Sequence, residues 1–128
     1  MDKQAIRERV WDALAESGDA RFPFPPHGRI PNFAGAEGAA ERLAGTAEWN
    51  DADALKANPD APQLPVRRAA LRAGKTVYMA VPRLRDERCF LELDPARLDP
   101  ASYDAAATIS HVEEYADQVG PEVLPHID

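Results

Sequence analysis

The sequence predicts a layered α/β fold in one domain, with a mostly parallel sheet and helices on its flanks. Three observations lead there. Residues 76–81 (TVYMAV) form a short, nearly all-apolar run rich in β-forming side chains, long enough for a strand covered on both faces and too short for a buried helix. An amphipathic stretch over residues 66–73 precedes it and stops at Gly74, whose missing Cβ allows the left-handed conformation that closes a helix. Before that helix, residues 53–57 (DALKA) read as a weaker strand, ended by the turn signal of Asn58, Pro59 and Asp60. Strand, helix, strand at this spacing is a βαβ unit with parallel strands and a right-handed crossover.

The totals narrow the classes of function. A chain of 128 residues is the size of one ordinary domain. Its 22 acidic residues outnumber 15 basic ones, giving net charge -7, which argues against a general nucleic-acid coat because phosphate neutralisation needs a broad basic surface. The single cysteine, Cys89, falls in a second apolar strand, residues 89–93 (CFLEL). It reads as a buried thiol in a reducing, cytoplasmic compartment. The N-terminus is charged, and no run approaches the roughly 20 apolar residues that cross a bilayer. Three histidines and one cysteine show no metal-ligand spacing, so no structural metal is expected.

In chain order, Asp2 caps a helix over residues 3–17 that Gly18 stops. At about 100° per residue, Ile6, Val10, Trp11, Ala13 and Leu14 share an arc expected to be buried. Lys3 and Arg7 lie one turn apart within that arc; they either snorkel past the core edge or form a paired phosphate clamp aimed into a cleft. Residues 21–33 (RFPFPPHGRIPNF) form a proline-rich ordered loop whose Phe22, Phe24, Ile30 and Phe33 call for burial. Its His27 and Arg29 either contact a ligand or are incidental. An alanine-rich helix follows over residues 35–46, and the first strand then opens into the loop of residues 58–65 (NPDAPQLP).

After the central strand, residues 83–88 hold Arg83, Arg85 and Arg88. Residues 67–88 contain seven of the chain's fifteen basic residues. That cluster is either an anion site, because ligands of α/β sheets gather outside strand carboxyl ends, or a solvated face paired with neighbouring acids. The loops 58–65 and 83–88 are expected to open on one edge of the sheet, which is the predicted site. Beyond Arg97 no lysine or arginine remains. Tyr103, Ile109, Val112 and Tyr115 anchor a partly helical segment, and residues 120–128 (GPEVLPHID) read as the lead-in to another strand.

Taken together, the Lys3-xxx-Arg7 spacing, HGRIPNF (27–33), NPDAPQLPVR (58–67), GKTVYMAVPRLRDERCFLELDP (74–95) and PEVLPHID (121–128) resemble the N-terminal half of 5-formyltetrahydrofolate cyclo-ligase-like proteins. The likeness is to the divergent branch of that family and covers essentially the whole chain. It implies a Rossmann-like layered sheet, with residues 1–128 forming the N-terminal part of a larger domain. It also implies an ATP-dependent, Mg2+-assisted conversion of 5-formyltetrahydrofolate to 5,10-methenyltetrahydrofolate. In that reaction the γ-phosphate activates the formyl oxygen, N10 attacks the carbon, and phosphate leaves as the ring closes.

By position the resemblance assigns Lys3 and Arg7 to the ATP phosphates, and the loop from Asn58 to Gln63, with Arg83 and Arg85, to the reduced-folate pocket. Two departures accompany it. Gln63 stands where better-known members carry a glutamate, and the seven glycines never cluster into the family's glycine-rich phosphate loop. The alternative reading is a non-catalytic nucleotide- or anion-binding or interaction module on the same fold. No nucleic-acid or membrane partner is expected, and an apolar sheet edge at residues 76–81 would favour self-association.

Overall fold

Residues 2–80 and 88–128 are described by a computed structural model of the chain. The elements run α1 (Lys3–Ser17), β1 (Ala20–Arg21), β2 (Asn32–Phe33), α2 (Ala36–Ala44), α3 (Ala47–Asp51), β3 (Ala54–Ala57), α4 (Leu64–Arg72), β4 (Thr76–Ala80), β5 (Phe90–Leu93), α5 (Tyr103–Ala106), α6 (Val112–Tyr115) and β6 (Asp117–Val119). Short 3-10 turns at Ala61–Gln63, Pro95–Arg97, Pro100–Ser102 and Pro121–His126 complete it.

The main sheet has the order β3-β4-β5-β6. β3 and β4 are parallel, with Ala54 beside Thr76 and Ala57 beside Met79, and α4 is the crossover between them. The expectation of a mostly parallel sheet is corrected beyond that unit: β5 runs antiparallel to β4, and β6 antiparallel to β5. Chain length supplies the reason. Only residues 81–89 separate β4 from β5, whereas a parallel return needs a crossover of about a dozen residues or more.

β4 is covered on both faces, as its apolar run predicts. Val77 and Met79 join Leu91, Leu93, Ala70 and Leu71 in the larger core, closed by Trp49, Ala106, Ala107 and Val112. Tyr78 lies on the other face with Ala54, Phe90 and Val123. Burying each of the large aliphatic side chains contributes about 1.5–3 kcal/mol, so the larger core carries most of the fold's stability. β4 is interior rather than an exposed edge; the outer strands are β3 and β6. The tail expected to lead into a strand instead forms the 3-10 turn Pro121–His126 across the second face. There the Asp128 N–H donates to the Ala54 carbonyl at 3.1 Å, and its carboxylate accepts from Asp53 N–H at 2.9 Å and Ala54 N–H at 3.3 Å.

The N-terminal third departs further from expectation. α1 has the predicted bounds: the Asp2 carboxylate accepts from Ala5 N–H at 2.7 Å, and Gly18 closes the helix at φ 79°. Its stripe is not buried, however. No residue of α1 is buried, because the helix packs on the small antiparallel ribbon of β1 and β2 rather than on the main sheet. Phe22, Phe24, Ile30 and Phe33 are likewise exposed. The sheet faces that could have taken them are filled by α4, by Trp49 and the α5–α6 region, and by the C-terminal turn.

Candidate ligand site at the strand mouths

β3 and β4 point the same way, so their carboxyl ends lie at one edge of the sheet. The loop leaving β3 is closed by its own side chains. Asp60 caps the 3-10 turn, its carboxylate accepting from Gln63 N–H at 3.1 Å. The Gln63 amide then spans the loop, its Oε1 accepting from Asn58 N–H at 2.9 Å and its Nε2 donating to Asp60 at 3.4 Å. Asn58 is exposed and Gln63 half-buried, so the two candidates are brought together, with the Gln63 side chain turned into the loop.

Beneath the loop lies a residue that sequence reading counted only as part of a basic cluster. Arg67 is 1% exposed. Its Nη1 donates to the Asn58 and Asp60 carbonyls at 2.7 and 2.8 Å, and its Nε to the Ala107 carbonyl at 2.8 Å. Burial lowers its pKa to about 10, while Asp60 acts in the opposite sense; the group is still charged at neutral pH. One guanidinium therefore ties the loop to the end of α5. Its sole sequence signal is its position: on α4, Ala70 and Leu71, three and four residues on, mark the core-facing side.

The loop forms one wall of an open cleft of about 520 Å³. Ala61, Leu64 and Pro65 line it with Arg21, Phe22, Asn32 and Phe33 from the ribbon side, and Arg68 and Glu37 add one charge of each sign. The Arg68 Nε atom has no hydrogen-bond partner among the described residues; Asp104 lies 3.9 Å away. Arg21 Nη1 is bound to the carbonyls of Gly18 and Ala20. Arg21, Asn32 and Arg68 were not singled out from sequence, although PNF and the basic run contain the last two.

Lys3 and Arg7 are both exposed on α1. Arg7, 3.5 Å from the Gln4 side-chain oxygen, borders a second cleft of about 560 Å³ with Trp11, His27 and Arg29. His27 is held there by Asp12, at 2.8 Å, and by the Trp11 ring, at 5.9 Å between centroids. Arg7 thus borders a different cleft from the one beside the β3 loop, and Lys3, Asn58 and Gln63 line neither of the two. Arg83 and Arg85 lie outside the described residues. Among the described residues, no three His, Cys, Asp or Glu side chains converge as a metal cage, and no helix is long and apolar enough to cross a membrane.

The fold is α/β, a mixed four-stranded sheet flanked by helices, with open clefts beside the loop that leaves β3 and along α1. The chain belongs to the 5-formyltetrahydrofolate cyclo-ligase family, whose sequence profile matches residues 1–123. It is 46% identical over 85 residues to the mouse (Mus musculus) methenyltetrahydrofolate synthase domain-containing protein, covering 66% of this chain and 23% of that protein. The zebrafish (Danio rerio) protein of the same name is 31% identical over 126 residues, covering 98% of this chain and 33% of that protein. The human (Homo sapiens) one is 36% identical over 85 residues, covering 66% of this chain and 22% of that protein. The chain therefore spans a third or less of these relatives. No solved structure matches it.

Proposed function

We propose that this chain is the N-terminal portion of a cyclo-ligase-type domain acting in cytoplasmic folate metabolism, in the ATP-dependent conversion of 5-formyltetrahydrofolate to 5,10-methenyltetrahydrofolate. The observation that carries the reading is the cleft between loop and ribbon. Exposed Phe22 and Phe33 offer flat apolar contact for a pteridine ring, Arg68 and Arg21 offer positive charge to its carboxylates, and the volume suits a small organic ligand. Asn58 and Gln63, which shape the loop beside this cleft without lining it, are assigned to the folate pocket by resemblance, as are Arg83 and Arg85.

Lys3 and Arg7 would meet the ATP phosphates. Exposed cations one turn apart fit phosphate oxygens, and Mg2+ would arrive on the nucleotide it neutralises. The chain's own contribution is to bind, to orient and to offset negative charge.

Calorimetric titration with 5-formyltetrahydrofolate and with ATP·Mg2+ tests each part. Arg68→Ala is expected to weaken folate binding about tenfold or more, and Lys3→Ala with Arg7→Ala to abolish ATP binding. Unchanged affinities would remove these residues from the scheme. A second reading, a folate- or nucleotide-binding module without turnover, is favoured by Gln63, which spends its amide inside its own loop. Ligand binding without ATP-dependent appearance of the methenyl product would select it.

A further inference from the structure

The apolar stripe of α1 faces solvent. Ile6 and Val10 are 49% and 50% exposed, and with Ala13 and Leu14 they line an open apolar groove within an arc of about 100°. Asp12, on the far side of the helix, binds His27, while Trp11 and Arg7, which border the second cleft, adjoin the stripe next to Leu14. The uncovered stripe therefore borders the second cleft along its Arg7 side.

The order of charges along the helix says what fits over it. Lys3, Arg7 and Arg9 lie in its first half, Asp12 and Glu16 in its second, and Asp19 just beyond its end. Glu8, the acid within the first half, points away from the stripe and accepts from Gln4. Arg9 and Glu16 are seven residues apart, two helical turns, and so flank the stripe on the same side. An antiparallel copy of the helix sets basic half against acidic half, with Arg9 of one chain facing Glu16 of the other. Two-fold symmetry repeats that pair. Ala13 lies close to the crossing point and is small enough for close approach, while Val10 and Leu14 of each chain cover those of the other. A parallel copy would oppose like charges along the whole helix.

We propose that α1 is a self-association surface on which two copies of this chain pair antiparallel through Ile6, Val10, Ala13 and Leu14, held in register by reciprocal Arg9–Glu16 contacts. Arg9 is also engaged within its own chain, and the reciprocal contact adds to or exchanges with that interaction. A single pair of 15-residue helices is a small interface, so the dimer is weak, concentration-dependent and weakened by salt. The inference does not rest on the proposed folate chemistry.

Sedimentation of the 128-residue chain from low micromolar to millimolar concentration tests it. The wild type is expected to pass from monomer to dimer. Arg9→Glu and Glu16→Arg each set like charges opposite and should weaken the dimer about tenfold or more. The double variant R9E/E16R restores opposite charges and should recover most of the wild-type affinity, whereas Val10→Asp should leave a monomer. All three substituted positions are exposed, and unchanged circular dichroism separates lost association from lost folding. A wild-type chain that stays monomeric throughout overturns the proposal. So does a double variant no stronger than its parents, or association untouched by Val10→Asp, which would place the contact at β3 or β6 instead.

Discussion

Replacing Arg67 with methionine keeps much of the side-chain volume and removes the charge. The magnitude follows from its surroundings. Three backbone carbonyls, of Asn58, Asp60 and Ala107, lose a charged donor at 2.7–2.8 Å, and bonds of this kind contribute about 1.5–3 kcal/mol each, or ~5–9 kcal/mol together. Against this stands the cost of burying the guanidinium, which lowers its pKa from 12.5 to about 10; at about 1.4 kcal/mol per unit that is ~3 kcal/mol regained. The net loss is ~2–6 kcal/mol, a large share of a typical domain's 5–15 kcal/mol. Urea denaturation should show a midpoint shift of that size with unchanged slope. The loop's Asn58 and Gln63 amides should also exchange faster, because their partners would no longer be anchored from below. Arg72→Met, which removes an exposed pair with Asp104, should cost under about 1 kcal/mol. An Arg67→Met loss no greater than that control would refute the clamp.

Three further outcomes are expected. Burial, with the neighbouring Glu92 and Asp94 carboxylates, pushes the Tyr78 hydroxyl from 10.0 up to about 12. Its stabilisation is therefore intact below pH 10 and falls by ~3 kcal/mol as pH rises through 12; Tyr78→Phe should flatten that part of a stability–pH curve, and an unchanged curve would assign the loss elsewhere. Asp128→Ala removes the acceptor of the Asp53 and Ala54 N–H groups and should cost about 1 kcal/mol, read by thermal melting, with faster exchange confined to the start of β3. Saturating 5-formyltetrahydrofolate should raise amide protection in the ribbon at Asn32 to Ala34 more than at Asn58 or Gln63, whose loop Arg67 already clamps from below; the reverse pattern would place the ligand outside this cleft.

The βαβ unit was legible because each of its parts has a local cause. Gly74 takes φ 79° as a helix stop must, Asp60 caps the turn after β3, and the β-rich run at β4 fills both faces of the sheet. The α1 boundaries were legible for the same reason, through Asp2 and Gly18. What sequence could not give was the destination of an amphipathic face. Periodicity shows that Ile6, Val10 and Leu14 share a side; it does not show whether the core has room for that side, and here α4 and the tail had already filled it. Strand direction after β4 failed on a different count. It depends on the nine residues 81–89 being too few for a crossover, a length rule outweighed by the general habit of βαβ sequences.

The same distinction explains which candidate residues came together. Asn58 and Gln63 meet because they are five apart across a capped turn, a local event that sequence encodes directly. Arg68 and Asn32 meet across the cleft only because β2 packs against the turn that α4 follows, and nothing within either segment announces the other. Of the two walls, one is fixed by Arg67 and its own loop bonds, and the other is a two-residue ribbon tied chiefly by backbone pairing and the Ala34 N–H to Asp19 carbonyl bond. A ligand bound between them as proposed would lose little affinity to ordering the first wall and more to ordering the second. Affinity for the proposed ligand would therefore depend on how firmly the ribbon is held, which would make the packing of α1 on β1 an indirect determinant of binding, even though no α1 side chain lines the cleft.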